Sequence, residues 1–265
     1  YLDIYLDIYL DIYLDIYLDI YLDIYLDIYH NKYSVQIKEK HMPTIVLATS
    51  KGGAGKTTAT IVLACELARN GASVTLIDAD PNQHSAKWAN RIGKPENITL
   101  LANANEDNII DYIEDSETKT SFVIVDLEGT ASMAVSFAIS RADLVLTPCQ
   151  GSQDDADEAV RTIKLIKQQE KAFKRNIPFS ILITNNQAAI RPRTLSHIMN
   201  EFTNAGVPML ETTLVNRDAF RAIRSFGGSV NNLDKKQVSG IDKAALNAEA
   251  FASEVIEIIK ESHRS

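Results

Sequence analysis

A single doubly wound α/β domain, built on one mostly parallel sheet with helices on both faces, is the fold this sequence predicts. Short β-branched runs alternate with longer helical stretches from Pro43 onward, and those runs are apolar almost without interruption. A glycine-rich turn stands directly between the first run and the first helical stretch. Near-continuous apolar runs belong to strands covered on both faces, as in a parallel sheet. Their alternation with helices at this spacing gives a doubly wound layer.

The elements follow in order. Residues 44–49 (TIVLAT) form the first strand, and residues 56–70 a helix stopped by Gly71. Residues 73–78 (SVTLID), 121–126 (SFVIVD) and 142–148 (ADLVLTP) are further strands, and residues 154–173 a long helix. A strand at 179–184 (FSILIT), a helix at 192–204 that ends near Gly206, and a final helix at 242–261 complete the set. No Pro/Gly/Ser-rich linker divides the series. In the last helix Phe251, Val255, Ile258 and Ile259 share one face, as core-packing residues do. The opposite face is mostly acidic or small, where a membrane-seeking helix carries lysine and arginine.

Composition narrows the class. The chain has 265 residues, 45% of them hydrophobic, which suffices for a substantial core. Its net charge of −8 is concentrated at the start: seven aspartates lie in the opening repeat and two net positive charges in residues 29–41, leaving −3 from Met42 onward. That balance gives no argument for wholesale nucleic-acid binding, so any such contact needs a local basic patch. Cys65 and Cys149 form no CxxC pair, which argues against a cysteine metal site and suits a reducing cytoplasm.

SKGGAGKTT, residues 50–58, carries the chemistry. A glycine-rich turn between strand and helix lets backbone N–H groups converge on phosphate oxygens, and the helix N-terminus adds positive potential. Gly52, Gly53, Ala54 and Gly55 form the cradle, followed by Lys56 for the outer phosphates, Thr57 for Mg²⁺, and Thr58. The strict pattern GxxxxGK[ST] fails at Ser50, and an additional lysine, Lys51, opens the loop. KGGxGKTT with that lysine resembles the deviant Walker motif of the ParA/MinD family of ATPases, and the likeness extends over almost everything after Met42. It implies ATP and Mg²⁺ as cofactors. It also implies a homodimer formed on ATP binding, in which Lys51 reaches the partner's phosphates.

The same resemblance assigns further residues. DADPNQ places Asp80 before Pro81 as the water activator, so the implied catalytic set is Lys51, Lys56 and Asp80. Read alone, an Asp-Pro turn also caps a following helix. Asp126, ending FVIVD, is the expected Walker B carboxylate that holds Mg²⁺ through a water. Asn185, in ITNNQ, stands where relatives contact adenine. PCQGSQDDADEA, residues 148–159, resembles the segment that turns into a long helix at the dimer face. Where most ParA relatives continue with a double-proline switch, this chain reads DLEGTAS over residues 126–132. That segment and RDAF at 217–220 are similar to ParA-like accessory proteins of T-DNA transfer.

Candidates for DNA contact are Arg191 and Arg193, then Arg217, Arg221 and Arg224, with Lys235 and Lys236 less securely placed. The +4 and +3 spacing of Arg217, Arg221 and Arg224 puts them on one face if their segment is helical. A solvated face paired with nearby acids has the same spacing. The expected function is an ATP-switched dimer that binds DNA non-specifically and drives plasmid or chromosome segregation. A site-specific DNA-binding adaptor, no membrane contact, and a place on the bacterial nucleoid in the cytoplasm go with it. The alternatives are a DNA-transfer accessory protein and an ATPase that positions another cellular cargo.

Tyr1–His41 stands apart. YLDI repeats without error for seven copies. As a helix, a period of four drifts by about 40° per copy and wraps its apolar rows around the cylinder. As a strand it alternates cleanly, but a strand of that length without a partner is an aggregation hazard. One codon choice for the unit, TATCTAGATATA, contains the ten-base palindrome TATCTAGATA, and Lys38-Glu39 can be encoded as a ribosome-binding sequence ahead of Met42. The expectation is that residues 1–41 are translated upstream DNA, or a disordered extension, and that residues 42–265 form the ATPase domain. An array of such repeats is the kind of DNA that a dimeric binding protein reads.

Overall fold

The computed structural model describes residues 42–129, 132–186 and 192–262. The readings of the repeat and of Arg191 lie outside the described residues. Met42–Ser265 forms one unit. Seven strands make its sheet: β1 (Thr44–Leu47), β2 (Val74–Ala79), β3 (Ile98–Leu101), β4 (Phe122–Leu127), β5 (Leu144–Cys149), β6 (Phe179–Asn186) and β7 (Leu214–Val215). The spatial order is β3-β2-β4-β1-β5-β6-β7, and every pair is parallel. The helices are α1 (Lys56–Arg69), α2 (His84–Ala89), α3 (Ile109–Glu117), α4 (Met133–Arg141), α5 (Gln153–Phe173), α6 (Arg193–Asn204), α7 (Asp218–Phe226) and α8 (Ile241–Ser262).

Strand periodicity divides the core between the two faces. Ile45, Leu47, Val74 and Leu76 point to a layer filled by α1, Trp88 of α2, Phe220 and Ile223 of α7, and Phe251 and Val255 of α8. Val46, Ile77, Val123 and Val125 point the other way, onto Ile109 and Ile113 of α3, Ala138 and Ile139 of α4, and Ile166 of α5. Further along that face, Ile181 and Ile183 meet Ala156 and Ala159 of α5 and Leu195, Ile198 and Phe202 of α6. The doubly wound expectation therefore holds, with the four anticipated helices within two residues of their expected ends.

Two strands and four short helices lie beyond what the sequence pattern predicts. β3 and β7 are the sheet edges, four and two residues long, and β3 is buried only at Ile98 and partly covered or exposed beyond it. Neither shows the doubly buried apolar run that marks a central strand. α2 has six residues, too few for a helical period, and α4 is apolar or small around most of its circumference. α3 and α7 are nine residues each and lie in stretches where charged residues interrupt the apolar pattern.

Sheet order fixes the location of chemistry. β1 is central, between β4 and β5, although it connects in sequence to β2 beyond β4. Loops leaving the carboxyl ends of strands at such a reversal open a crevice for ligands. The turns after β1, β2 and β4 all leave that end, with Leu47 and Asp78 each in register with Asp126.

A close joint ties α7 to the loop between α2 and β3. Gly227 has φ +90°, and a Cβ there would lie 2.6 Å from Arg91 Cβ and 2.7 Å from the Ile92 carbonyl oxygen. Gly93 abuts Gly228, whose carbonyl accepts the Trp88 Nε1 proton at 3.0 Å. Gly227→Ala is expected to cost at least ~2 kcal/mol through the left-handed backbone and the clash together. In a chain of this size that is a fall of about 4–8 °C in Tm by calorimetry.

Candidate nucleotide-binding site

After β1 the chain turns through residues 48–55 before α1 begins at Lys56. Gly53 and Gly55 take φ of +79° and +96°, which L side chains rarely adopt. Gly55 is the N-cap of α1 and offers no side-chain acceptor, so the first-turn N–H groups lack a side-chain cap. Neighbouring strand ends grip the loop by its carbonyls. Thr184 Oγ1 donates to the Ala54 carbonyl at 2.6 Å, and Gln150 Nε2 to that of Gly53 at 2.9 Å. With those acceptors engaged, the loop's N–H groups supply the polarity that suits an anion.

Lys56 is almost fully buried, and its Nζ donates to the carbonyls of Thr49 at 3.4 Å and Lys51 at 3.3 Å. Burial lowers its pKa, and the carboxylates of Asp126, Asp80 and Glu128 act in the opposite sense. Two long bonds to its own loop hold this cation weakly.

Beneath it lie two strand-end carboxylates. Asp126 is fully buried and accepts the Ser85 Oγ proton at 2.7 Å. Burial pushes its carboxyl up to about 6; the nearby Asp78 adds to the rise, while Ser85, Thr57 and Lys56 oppose it. Asp78 accepts from the N–H groups of Ala86 at 2.8 Å and Asp80 at 3.1 Å, so it secures the start of α2. Asp80 accepts through Oδ1 from Asn82 N at 2.7 Å and Asn82 Nδ2 at 3.0 Å. The turn reading of the Asp-Pro pair is therefore present in the structure, and it uses one carboxylate oxygen.

A cavity of about 640 Å³ joins these parts. Gly52, Gly53, Gly55, Lys56, Thr57 and Thr58 line it from the phosphate loop, and Asp80 and Glu128 from the loops after β2 and β4. Asn185, at φ +56°, contributes from the end of β6, and Asn216, Phe220 and the three arginines Arg217, Arg221 and Arg224 from the β7–α7 region. Those arginines thus border this cavity, whereas Arg193 is exposed at the start of α6 and does not line it. Arg217 is the N-cap of α7, so the expected helical face contains Arg221 and Arg224 alone.

Lys51 is set apart from the other loop residues. It does not line the cavity; its Nζ lies 2.9 Å from Asp155 Oδ1 in the first turn of α5, and this contact raises its pKa. The DLEG departure also has a steric reason. A Cβ on Gly129 would stand 3.0 Å from Gly52 N and 3.2 Å from Gly52 Cα, so the loop after β4 rests directly on the phosphate loop. Ser85 and Thr184 are parts of the site that the sequence did not disclose, and Gln150 and Gly129 stand in segments that the sequence singles out without giving them a role.

Among the described residues no group of three or more His, Cys, Asp or Glu could hold a metal ion, and no helix is long and apolar enough to cross a membrane. Cys65 and Cys149 are buried, which pushes each thiol up to about 12.

Residues 42–259 match the family model described as VirC1 protein. The chain belongs to the VirC1 family. That family lies within the ParA/MinD group of deviant Walker-type P-loop ATPases, and ATP hydrolysis is the activity of this VirC1-family chain. ATPases of the group act in partition-like processes. A "Protein ParA" of Rhizobium radiobacter is 41% identical over 223 residues, covering 84% of this chain and 100% of the relative. A "Protein virC1" of Rhizobium rhizogenes is 27% identical over 191 residues, or 70% of this chain and 82% of that one. An ATP complex of Cyanothece McdA has a TM-score of 0.66 at 16% identity, covering 82% of this chain and 97% of that chain, which is a likeness of fold.

Proposed function

We propose that this VirC1-family ATPase is a partition protein: an ATP-switched homodimer that binds DNA without reading its sequence and segregates a plasmid or chromosome with a site-specific DNA-binding adaptor. The observation that supports this reading is the different placement of two lysines of one loop. Lys56 lines the cavity, while Lys51 stands outside it, over a third exposed, where a facing subunit's phosphates can be met. Identity to a relative named ParA over that relative's whole length supports partition as the process.

The residues fit the nucleotide and the metal. Gly53 and Gly55 hold the positive φ angles that shape the loop, Gly55 packs on Thr184 with little room for a Cβ, and Lys56 supplies a buried cation. Of the two buried strand-end carboxylates, Asp78 is taken up by the N–H groups of Ala86 and Asp80, which leaves Asp126 with the Thr57 hydroxyl; that pair matches the way Mg²⁺ is held, with phosphate oxygens and waters completing its shell. Gly52, Gly53, Ala54 and Gly55 would bind phosphate through backbone N–H groups, with Lys56 on the outer phosphates, Thr57 and Thr58 at the start of α1, and Asn185 near the base. Thr57, and Asp126 through a water, would hold Mg²⁺, which when bound offsets the phosphate charge. Asp80, whose Oδ2 is not used by its turn, would orient the attacking water. The working unit is Met42–Ser265, and DNA as partner places it on the nucleoid.

Movement of cargo requires that the two nucleotide states differ in affinity for DNA. Sedimentation of the full chain is therefore expected to show a dimer with ATP and Mg²⁺ and a monomer with ADP. Only the dimer should bind arbitrary duplex DNA, with an affinity that falls steeply with salt. A protein that binds ATP and stays monomeric, or holds DNA equally with and without nucleotide, would sink the reading. The DLEG segment and the VirC1 family model favour a second one, a DNA-transfer accessory protein, for which DNA binding would be sequence-specific and unaffected by Asp80→Ala.

A further inference from the structure

Six large apolar side chains are exposed among the described residues, and two of them, Ile92 at 94% and Phe226 at 60%, flank the joint where Gly227 meets the Arg91–Ile92 backbone. The joint at Gly227 brings the Arg91–Ile92 backbone against the end of α7, and the Arg91 guanidinium donates to the Arg224 carbonyl. With the Trp88 bond to Gly228, both segments form one braced surface. A lone exposed apolar side chain is ordinary, and it is the pairing of Ile92 with Phe226 across a braced joint, together with the charges around it, that carries meaning.

The polar surroundings name the partner. Arg91, Arg221 and Arg224 are all exposed, and among the described residues the acid in contact with them is Asp218, 3.5 Å from Arg221 Nη2. Arg91 adjoins Ile92 in the chain, and Arg221 and Arg224 stand on the helix that ends at Phe226, so this end of α7 and its joint combine guanidinium groups with apolar side chains, which complements a polyanion with an apolar interior. In duplex DNA, phosphates engage arginine, while Ile and Phe lie against sugars or wedge at base steps. Arg221 and Arg224 also border the nucleotide cavity, and α2, which carries Trp88, starts four residues after Asp80 and holds Asp126 through Ser85. The surface is thus connected to the nucleotide site through both α2 and α7.

We infer that this surface, formed by Arg91, Ile92, Arg221, Arg224 and Phe226, is where the ATP-bound protein holds the DNA backbone, an inference that rests on the DNA-binding reading above. Ile92→Glu is the primary test, because its side chain touches neither the cavity nor the core; Arg91→Glu is the second. Phe173→Glu is the control, an exposed aromatic on α5, across the sheet from α7. Binding of the full chain to a fluorescein-labelled duplex of arbitrary sequence is followed by anisotropy with ATP and Mg²⁺ at low salt. Ile92→Glu and Arg91→Glu are expected to weaken binding tenfold or more, with ATP affinity of Ile92→Glu unchanged and Phe173→Glu like wild type. Wild-type DNA affinity in Ile92→Glu would overturn the inference alone. Absence of nucleotide-dependent DNA binding in the wild type itself would remove the underlying reading. Ile92-dependent binding to phosphatidylglycerol vesicles in place of DNA would overturn the inference in favour of a lipid surface.

Discussion

Lys56→Ala is expected to lose ATP binding while the fold keeps its stability. The lysine is buried, its pKa is lowered by that burial, and its hydrogen bonds among the described residues are the two long ones to its own loop. Removing it relieves a desolvated charge at the cost of two weak bonds, so Tm should stay within about 2–4 °C of wild type, the equivalent of ~1 kcal/mol. In the nucleotide complex the same side chain is assigned charge-assisted contacts to the outer phosphates, at about 1.5–3 kcal/mol each. Loss of even two such contacts lowers affinity at least a hundredfold, since about 1.4 kcal/mol is tenfold. Isothermal titration with ATP and Mg²⁺, beside a thermal melt, separates the two effects. A variant that melts normally and still binds ATP like wild type would remove Lys56 from the phosphate site. Lys51→Ala provides the contrast: ATP affinity retained, dimer lost.

Asp80→Asn should bind ATP within a few-fold of wild type and hydrolyse it about a hundredfold to ten-thousandfold more slowly, the usual range for loss of a general base. The amide is a better choice than alanine here. Oδ1 of Asp80 accepts two hydrogen bonds from Asn82, and an asparagine carbonyl can keep both, so the turn into α2 survives. Asp80→Ala removes turn and carboxylate together. If the amide variant turns over at the wild-type rate in a steady-state phosphate-release assay, the carboxylate has only its turn to serve. If the amide is slow and melts like wild type, the effect belongs to chemistry.

What the sequence disclosed, and what it withheld, follows from the range of the interactions involved. SKGGAGKTT is local: strand, turn and helix adjoin in the chain, so the glycines and Lys56 could be placed on sight. Asp126 was legible because it is the lone carboxylate at the carboxyl end of a doubly buried strand. The loop's supports were not, because Thr184 lies 130 residues from Ala54, Gln150 97 from Gly53, and Ser85 41 from Asp126. Gly129 gave one signal, a glycine where relatives carry a proline switch, but only the approach of Gly52 explains it. Spacing alone suggests the arginines of RDAFRAIR as a DNA face. Spacing says which residues share a side of a helix and nothing of what that side borders, which here includes the nucleotide cavity. β3 and β7 escaped notice because an edge strand need not be apolar on both sides.

The bond from Trp88 to Gly228 gives this molecule an optical property. Trp88 is the sole tryptophan of the chain, is 1% exposed, and sits where α2 meets the turn after α7. Its emission therefore reports one joint with no other indole beneath it. Any parting of α2 from α7 that admits water to the ring would move that emission to the red, so a nucleotide titration could be followed in unlabelled protein by light alone.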